Sequence, residues 1–227
     1  MIFNICHYTP LDERKIQFIK QATNLQSDIT LNFVHDHDRE ELTQQQRDKF
    51  MKISDAEISL FLKHIHCYNT ILSSGEPYGV VMEDDCVFHD DFDEHMCIIN
   101  ENMPADADIM YCGVFPFYKQ KPVPVPKQMI DGRLFYDMTD VQVFPWTGNN
   151  KGTDFYIINN NTCDKLIQEF DDRSPVSQPI DHWLGTTCIN KYKTYWYNTE
   201  FTTHGSWGDG EGVNARFNNS MEQFRNL

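Results

Sequence analysis

Tyr78-Gly79-Val80-Val81-Met82-Glu83-Asp84-Asp85 is the stretch that decides the fold. A short apolar run follows a Gly-Glu-Pro break at 75–77 and stops abruptly at three consecutive acids. The apolar half reads as a strand buried on both faces, the pattern of a sheet covered by helices. In open α/β sheets ligands sit outside the carboxyl ends of the strands, so acids at that point carry function. Side chains alternate along an extended backbone, which predicts Glu83 and Asp85 on one side and Asp84 on the other. Like charges so close repel, and a hard divalent cation such as Mg²⁺ or Mn²⁺ relieves that. The competing reading is a solvated loop or an acidic helix start. An ordinary strand end has little need of three acids, which favours the metal.

The chain around this strand reads as β-α-β units. Ile2–Cys6 is a first strand, ended by His7-Tyr8-Thr9-Pro10. Leu11 to Leu25 places Ile16, Ile19 and Ala22 at helical spacing behind an acidic first turn. Ile29 to Val34 alternates as a second strand, and β-α-β opens a parallel sheet. His35-Asp36-His37-Asp38 reads as a polar connection rather than a metal cluster, and Arg39 to Lys52 as a charged surface helix or loop. Ser54-Asp55-Ala56-Glu57 is a capping box. The helix behind it carries Ile58, Phe61, Leu62, Ile65 and Leu72 on one face, with His64 close to that stripe. A lone histidine there is more often a satisfied core residue than a ligand.

Asp90 to Glu94 reads as the acidic opening of a helix. Ile109 to Val114 is another strand. Residues 117–152 are irregular and rich in proline and aromatics, an insertion with a hairpin (Arg133 to Tyr136, Val141 to Phe144) inside a single domain spanning 1–227. Thr153 to Ile158 is a strand, Asn161 to Phe170 a helix, Pro179 to Leu184 a helix start and Lys193 to Tyr197 a last strand. Thr202 to Phe217 reads as loop.

The formal net charge of −15 argues against nucleic acid and anionic membrane surfaces as partners. No run approaches the ~18 uncharged apolar residues of a membrane span, and the N-terminus does not read as a signal peptide. Seven scattered cysteines without a CxxC pair read as reduced residues of a cytoplasmic protein.

In this order the pieces resemble glycosyltransferase family 25, which includes lipooligosaccharide and collagen galactosyltransferases. Ser54 to His64 is similar to its S-x-x-E…S-H helix, Tyr78 to Val87 to its acidic strand, Gly152 to Ile158 to its GT segment and Pro179-Ile180-Asp181 to its PvD motif. Lys63 and Asn159 stand where that family has serine. The resemblance implies a GT-A fold, an α/β architecture with a mostly parallel central sheet flanked by helices. It also implies a nucleotide-sugar donor, UDP-galactose or UDP-glucose, and a glycan or protein hydroxyl acceptor, in a role such as lipopolysaccharide biosynthesis. Glu83 and Asp85 are then the ligands of Mn²⁺ or Mg²⁺, with His204 as third ligand. His7, Tyr8, Thr9 and Arg14 lie near the nucleotide, and His64 and Asp84 join them on the donor side. Asp181 is the candidate base that deprotonates the acceptor, with Asp154 in reserve. Trp146, Trp183 and Trp207 are either sugar platforms or core. A metal-dependent phosphoesterase or nucleotidyltransferase is the second reading, and a non-catalytic glycan- or cation-binding module the third.

Overall fold

The computed structural model describes residues 1–26, 28–112, 135–137, 153–173, 175–188, 191–197 and 201–204. Apart from residues 135–137, the insertion expected at 117–152 lies outside them, as do Trp146, Trp207 and the chain beyond His204.

Strand β1 (Ile2–Cys6), helix α1 (Asp12–Thr23) and strand β2 (Thr30–Val34) form the expected unit, β1 and β2 pairing in parallel. The buried face of α1 differs from its apolar spacing. Ile16 and Ile19 are exposed, while Arg14 and Phe18 point inward. Phe18 seats its ring against Phe33 and Phe88, and Arg14 turns in to meet buried carboxylates. A charge partner inside the fold overrides the hydrophobic stripe.

The charged segment that follows is anchored to the body of the fold. A short helix α2 (Gln44–Arg47) carries its own Thr43–Gln46 capping box. Leu42 and Phe50 are buried, and Met51 donates its backbone N–H to Val176 O.

Helix α3 (Asp55–Ser74) opens with the predicted box. Ser54 N donates to Glu57 Oε2 at 2.7 Å and Glu57 N to Ser54 Oγ at 3.3 Å. It closes on Gly75 at φ 73°, a left-handed C-terminal position suited to glycine. Ile58, Phe61, Leu62 and Ile65 are buried as expected, but Leu72 is exposed, and Tyr68 and Ile71 complete the face. Ile71 presses so closely on β3 (Tyr78–Glu83) that a Cβ at Gly79 would lie 2.2 Å from its Cγ1. Gly79 is there to admit the helix.

Val80, Val81 and Met82 of β3 are buried, Val81 among the side chains of α3 and Val80 and Met82 on the opposite face. The strand is covered on both sides, as its composition predicts. After β4 (Cys86–Phe88) come helix α4 (Phe92–Asn102), β5 (Ile109–Tyr111), β6 (Phe135–Asp137), β7 (Phe155–Asn159), helix α5 (Asn160–Asp172), helix α6 (Ile180–Cys188), β8 (Thr194–Tyr197) and β9 (Thr202–His204). The main sheet has the order β2-β1-β3-β7-β5-β8-β6. Five strands run one way, with β7 and β6 reversed. Helices flank it, giving a mixed α/β fold whose central sheet has three parallel and three antiparallel pairings among the described residues, less parallel than expected.

β6 pairs with β8, and residues 141–144, its expected hairpin partner, lie outside the described residues. One expectation changes. Thr202–His204 is a strand, not loop, paired antiparallel with β4. Phe201, fully buried against Phe92, Phe155 and Tyr197, pins the segment there.

The registers set up one functional edge. Cys6 lies opposite Glu83, Met82 opposite Phe155 and Tyr111 opposite Tyr156. The ends of β1, β3 and β5 and the start of β7 therefore open on the same side of the sheet. His204 lies opposite Cys86, the residue after Asp85.

Candidate active site

The sheet ladder carries Glu83 to the edge and then lets go. Glu83 N still donates to Asp154 O at 2.9 Å and Asp84 N to Cys6 O at 3.2 Å, after which Asp84 and Asp85 form a turn into β4. Strict alternation stops there, so Asp84 and Asp85 do not take the opposite sides predicted for them. Glu83 accepts a hydrogen bond from Thr153 Oγ1 at 2.6 Å and lies 3.7 Å from His64 Nε2. Asp84 and Asp85 both face Arg14, whose Nη1 is 2.9 Å from Asp84 Oδ1 and 3.7 Å from Asp85 Oδ2.

Asp84 is an anchor. Besides Arg14 it meets His7 Nδ1 at 2.8 Å and accepts from Tyr8 N at 3.3 Å. Burial would pull the Arg14 guanidinium down, but Asp84, Asp85 and Glu83 outweigh it and raise its pKa. A carboxylate tied to arginine, histidine and a backbone amide holds the loop after β1 onto the acidic turn.

His64 is fully buried and donates to or accepts from the Tyr156 hydroxyl at 2.7 Å, which in turn meets Tyr68. Burial opposes a charge on this imidazole, while Cys6 and Glu83 raise its pKa above the ordinary histidine range. Cys6 is itself pushed up by burial and keeps its proton, so the Glu83 carboxylate is the partner that favours the imidazolium. His64 is thus a core histidine that braces Glu83 from behind.

Asp84, Asp85 and Asp154 are all buried. The Cys86 thiol is raised first by burial and then by the charges of Asp154 and Asp85. Among the described residues no three His, Cys, Asp or Glu side chains converge at metal-ligand geometry. Glu83 and Asp85 supply oxygen donors suited to a hard divalent ion, and the β4–β9 register brings the backbone of His204 beside them. The donor chemistry at this edge fits such an ion.

Asp181 occupies the first turn of α6, half-buried, with Oδ1 accepting from His182 N at 2.7 Å. Burial first, then the charges of Cys188 and Asp181, raise the Tyr111 hydroxyl. Trp183 is core, with its ring 5.1 Å from that of Phe61, and offers no sugar platform.

A family model described as glycosyltransferase family 25 (LPS biosynthesis protein) matches residues 12–184. The chain belongs to glycosyltransferase family 25. No curated protein sequence matches it. Among solved structures it is similar to A197 from STIV (12% identity, TM-score 0.42, covering 88% of this chain and 82% of that one). It is also similar to the galactosyltransferase LgtC in complex with donor and acceptor sugar analogs (9%, TM-score 0.47, 86% and 73%). A third is mannose-1-phosphate geranyltransferase from Thermus thermophilus (9%, TM-score 0.43, 88% and 74%).

As a glycosyltransferase this family 25 chain uses a nucleotide-sugar donor and an acceptor. The matched segment holds Arg14, His64, the acidic turn, Asp154 and Asp181, while His7 to Thr9 and His204 lie outside it. No helix among the described residues is long and apolar enough to cross a membrane.

Sequence reading missed Thr153, Lys63 and Asp38. Thr153 lies inside the GT segment and bonds Glu83. Lys63 and Asp38 form a buried ion pair at 2.8 Å. The legible signal was a lysine on the apolar face of a helix, where a charge has to be matched.

Proposed function

We propose that this enzyme is a metal-dependent, inverting hexosyltransferase that takes galactose or glucose from a UDP-sugar and passes it to a hydroxyl of a glycan or protein. The observation that supports this reading is the acidic run of half-buried Glu83 and buried Asp84 and Asp85, with Asp154 alongside, at the edge where β1, β3 and β5 end.

Glu83 and Asp85 would hold Mn²⁺ or Mg²⁺, with His204 as third ligand. Bound there, a divalent ion neutralises the negative charge that develops on the leaving diphosphate. Thr153 and His64 brace Glu83, so that it meets a ligand with little freedom left to lose. Asp84 fixes the loop His7 to Thr9 and Arg14, which forms the donor side of the site.

Asp181 serves as the base. In the first turn of α6, away from the acidic turn in sequence, it takes the acceptor proton while the attacking oxygen displaces the nucleotide from the opposite face of the sugar. Asp154, more deeply buried and close to the acidic turn, is the reserve.

The test is a panel of nucleotide sugars incubated with Mn²⁺ and hydroxyl acceptors, with release of nucleoside diphosphate as readout. Release from UDP-galactose or UDP-glucose supports the assignment. Release confined to a donor with another base or sugar overturns it.

A further inference from the structure

Lys63 sits on the buried face of α3, only 2% exposed. Its Nζ donates to the carbonyls of Asp36 at 2.7 Å, His35 at 3.2 Å and Val34 at 3.3 Å, and lies 2.8 Å from Asp38 Oδ1. Three consecutive carbonyls leaving β2 and one buried carboxylate thus surround an ammonium that has three protons to give. Between the two acidic residues, His37 takes a left-handed backbone at φ 70°, which folds Asp38 back toward the ammonium.

Asp38 passes this arrangement on. Its two carboxylate oxygens lie 3.2 and 3.4 Å from the Thr9 amide, which donates to them. The neighbouring amides are taken as well. His7 N donates to Val34 O at 3.4 Å and Tyr8 N to Asp84 at 3.3 Å. Three successive N–H groups after β1 are therefore held from two directions. The acidic turn holds the middle one, and acceptors bound by Lys63 hold the other two.

We infer that Lys63 is a positioning residue for sugar transfer, fixing the loop His7 to Thr9 at the donor site through Asp38 and the end of β2. This rests on the reading of that loop as the donor side of the site. An apolar residue at 63 would leave the Asp38 carboxylate buried without its counter-charge, and would take one donor from each of the carbonyls of Val34, His35 and Asp36. The loop would then lose its second anchor while the acidic turn kept its own.

Lys63→Met keeps the unbranched shape of the side chain, one atom shorter, and removes the charge and the donors. If the orphaned Asp38 prevents folding, Lys63→Met combined with Asp38→Asn removes both charges at once. Two readouts decide. The first is amide hydrogen exchange at Thr9 in the apo protein, expected to speed up at least about tenfold once its acceptor is released. The second is transfer kinetics, where the donor KM rises about 10- to 100-fold with kcat changed far less.

Unchanged exchange at Thr9 overturns the inference, whatever the donor. Faster exchange with an unchanged donor KM also overturns it, because the loop then moves without consequence for the donor. A wild-type protein that turns over no nucleotide sugar contradicts the functional reading instead, and exchange at Thr9 still decides whether Lys63 holds the loop.

Discussion

Arg14 and Asp84 meet inside the protein, Nη1 to Oδ1 at 2.9 Å, with both side chains less than 10% exposed. The pair joins the first helix to the acidic turn. Breaking a buried pair strands the remaining charge, so Arg14→Met is expected to cost about 3–5 kcal/mol of stability. Urea unfolding followed by circular dichroism measures it. A loss below about 1 kcal/mol would mean that Asp84 finds water or another partner.

Ser54 tests stability without chemistry. Its reciprocal bonds with Glu57 lie at the far end of α3 from Gly75 and involve only the helix start. Ser54→Ala should cost about 1 kcal/mol. Turnover at a temperature well below unfolding should stay at the wild-type level. A fall in turnover with an unchanged denaturation midpoint would make Ser54 a ligand contact.

His64 predicts a pH dependence. Its folded-state pKa lies above the ordinary value of 6.5. The imidazolium interaction is therefore fully present below 6.5 and is lost as pH rises toward the folded value. Buried thiols such as Cys86 act in the same direction nearer their ordinary value of 9.0, so the comparison is made between pH 6.5 and 8. The urea midpoint should fall over that range in the wild type more steeply than in His64→Gln. Parallel slopes would show that Glu83 does not favour a proton on His64.

Asp181→Asn keeps the shape of the side chain and removes the proton acceptor. A general base contributes about 10²–10⁴-fold, so kcat should fall by that order with donor affinity, measured by calorimetry, nearly unchanged. Transfer at the wild-type rate makes Asp154 the next base to test.

Much of this architecture was legible where one signal dominated. The apolar run of β3 ending in acids announced both its burial and the edge it serves, and the Ser54 box announced the start of α3. Legibility failed where a distant partner decided the outcome. Arg14 displaced Ile16 and Ile19 from the buried face of α1 because Asp84, 70 residues away, receives it. Lys63 looked like a departure from a family pattern, and its partner Asp38 like part of a polar connection. The pairing of Thr202–His204 with β4 depends on Phe201 reaching an aromatic cluster, which no local periodicity encodes. Alternation predicted the sides of Glu83, Asp84 and Asp85 only as far as the strand persisted.

The central claim is that the acidic turn works by holding a divalent ion against the donor diphosphate. The measurement that tests it most directly is the rate of nucleoside-diphosphate release from the preferred UDP-sugar, first in EDTA and then with Mn²⁺ restored, in the wild type and in Asp85→Asn. Asparagine keeps the shape of a residue that the structure shows to be buried. Charge stabilisation by a metal amounts to several kcal/mol, so the wild-type rate should drop at least about 100-fold in EDTA and recover with Mn²⁺, whereas Asp85→Asn should stay slow in both. A wild-type rate in EDTA equal to that in Mn²⁺ would contradict the claim.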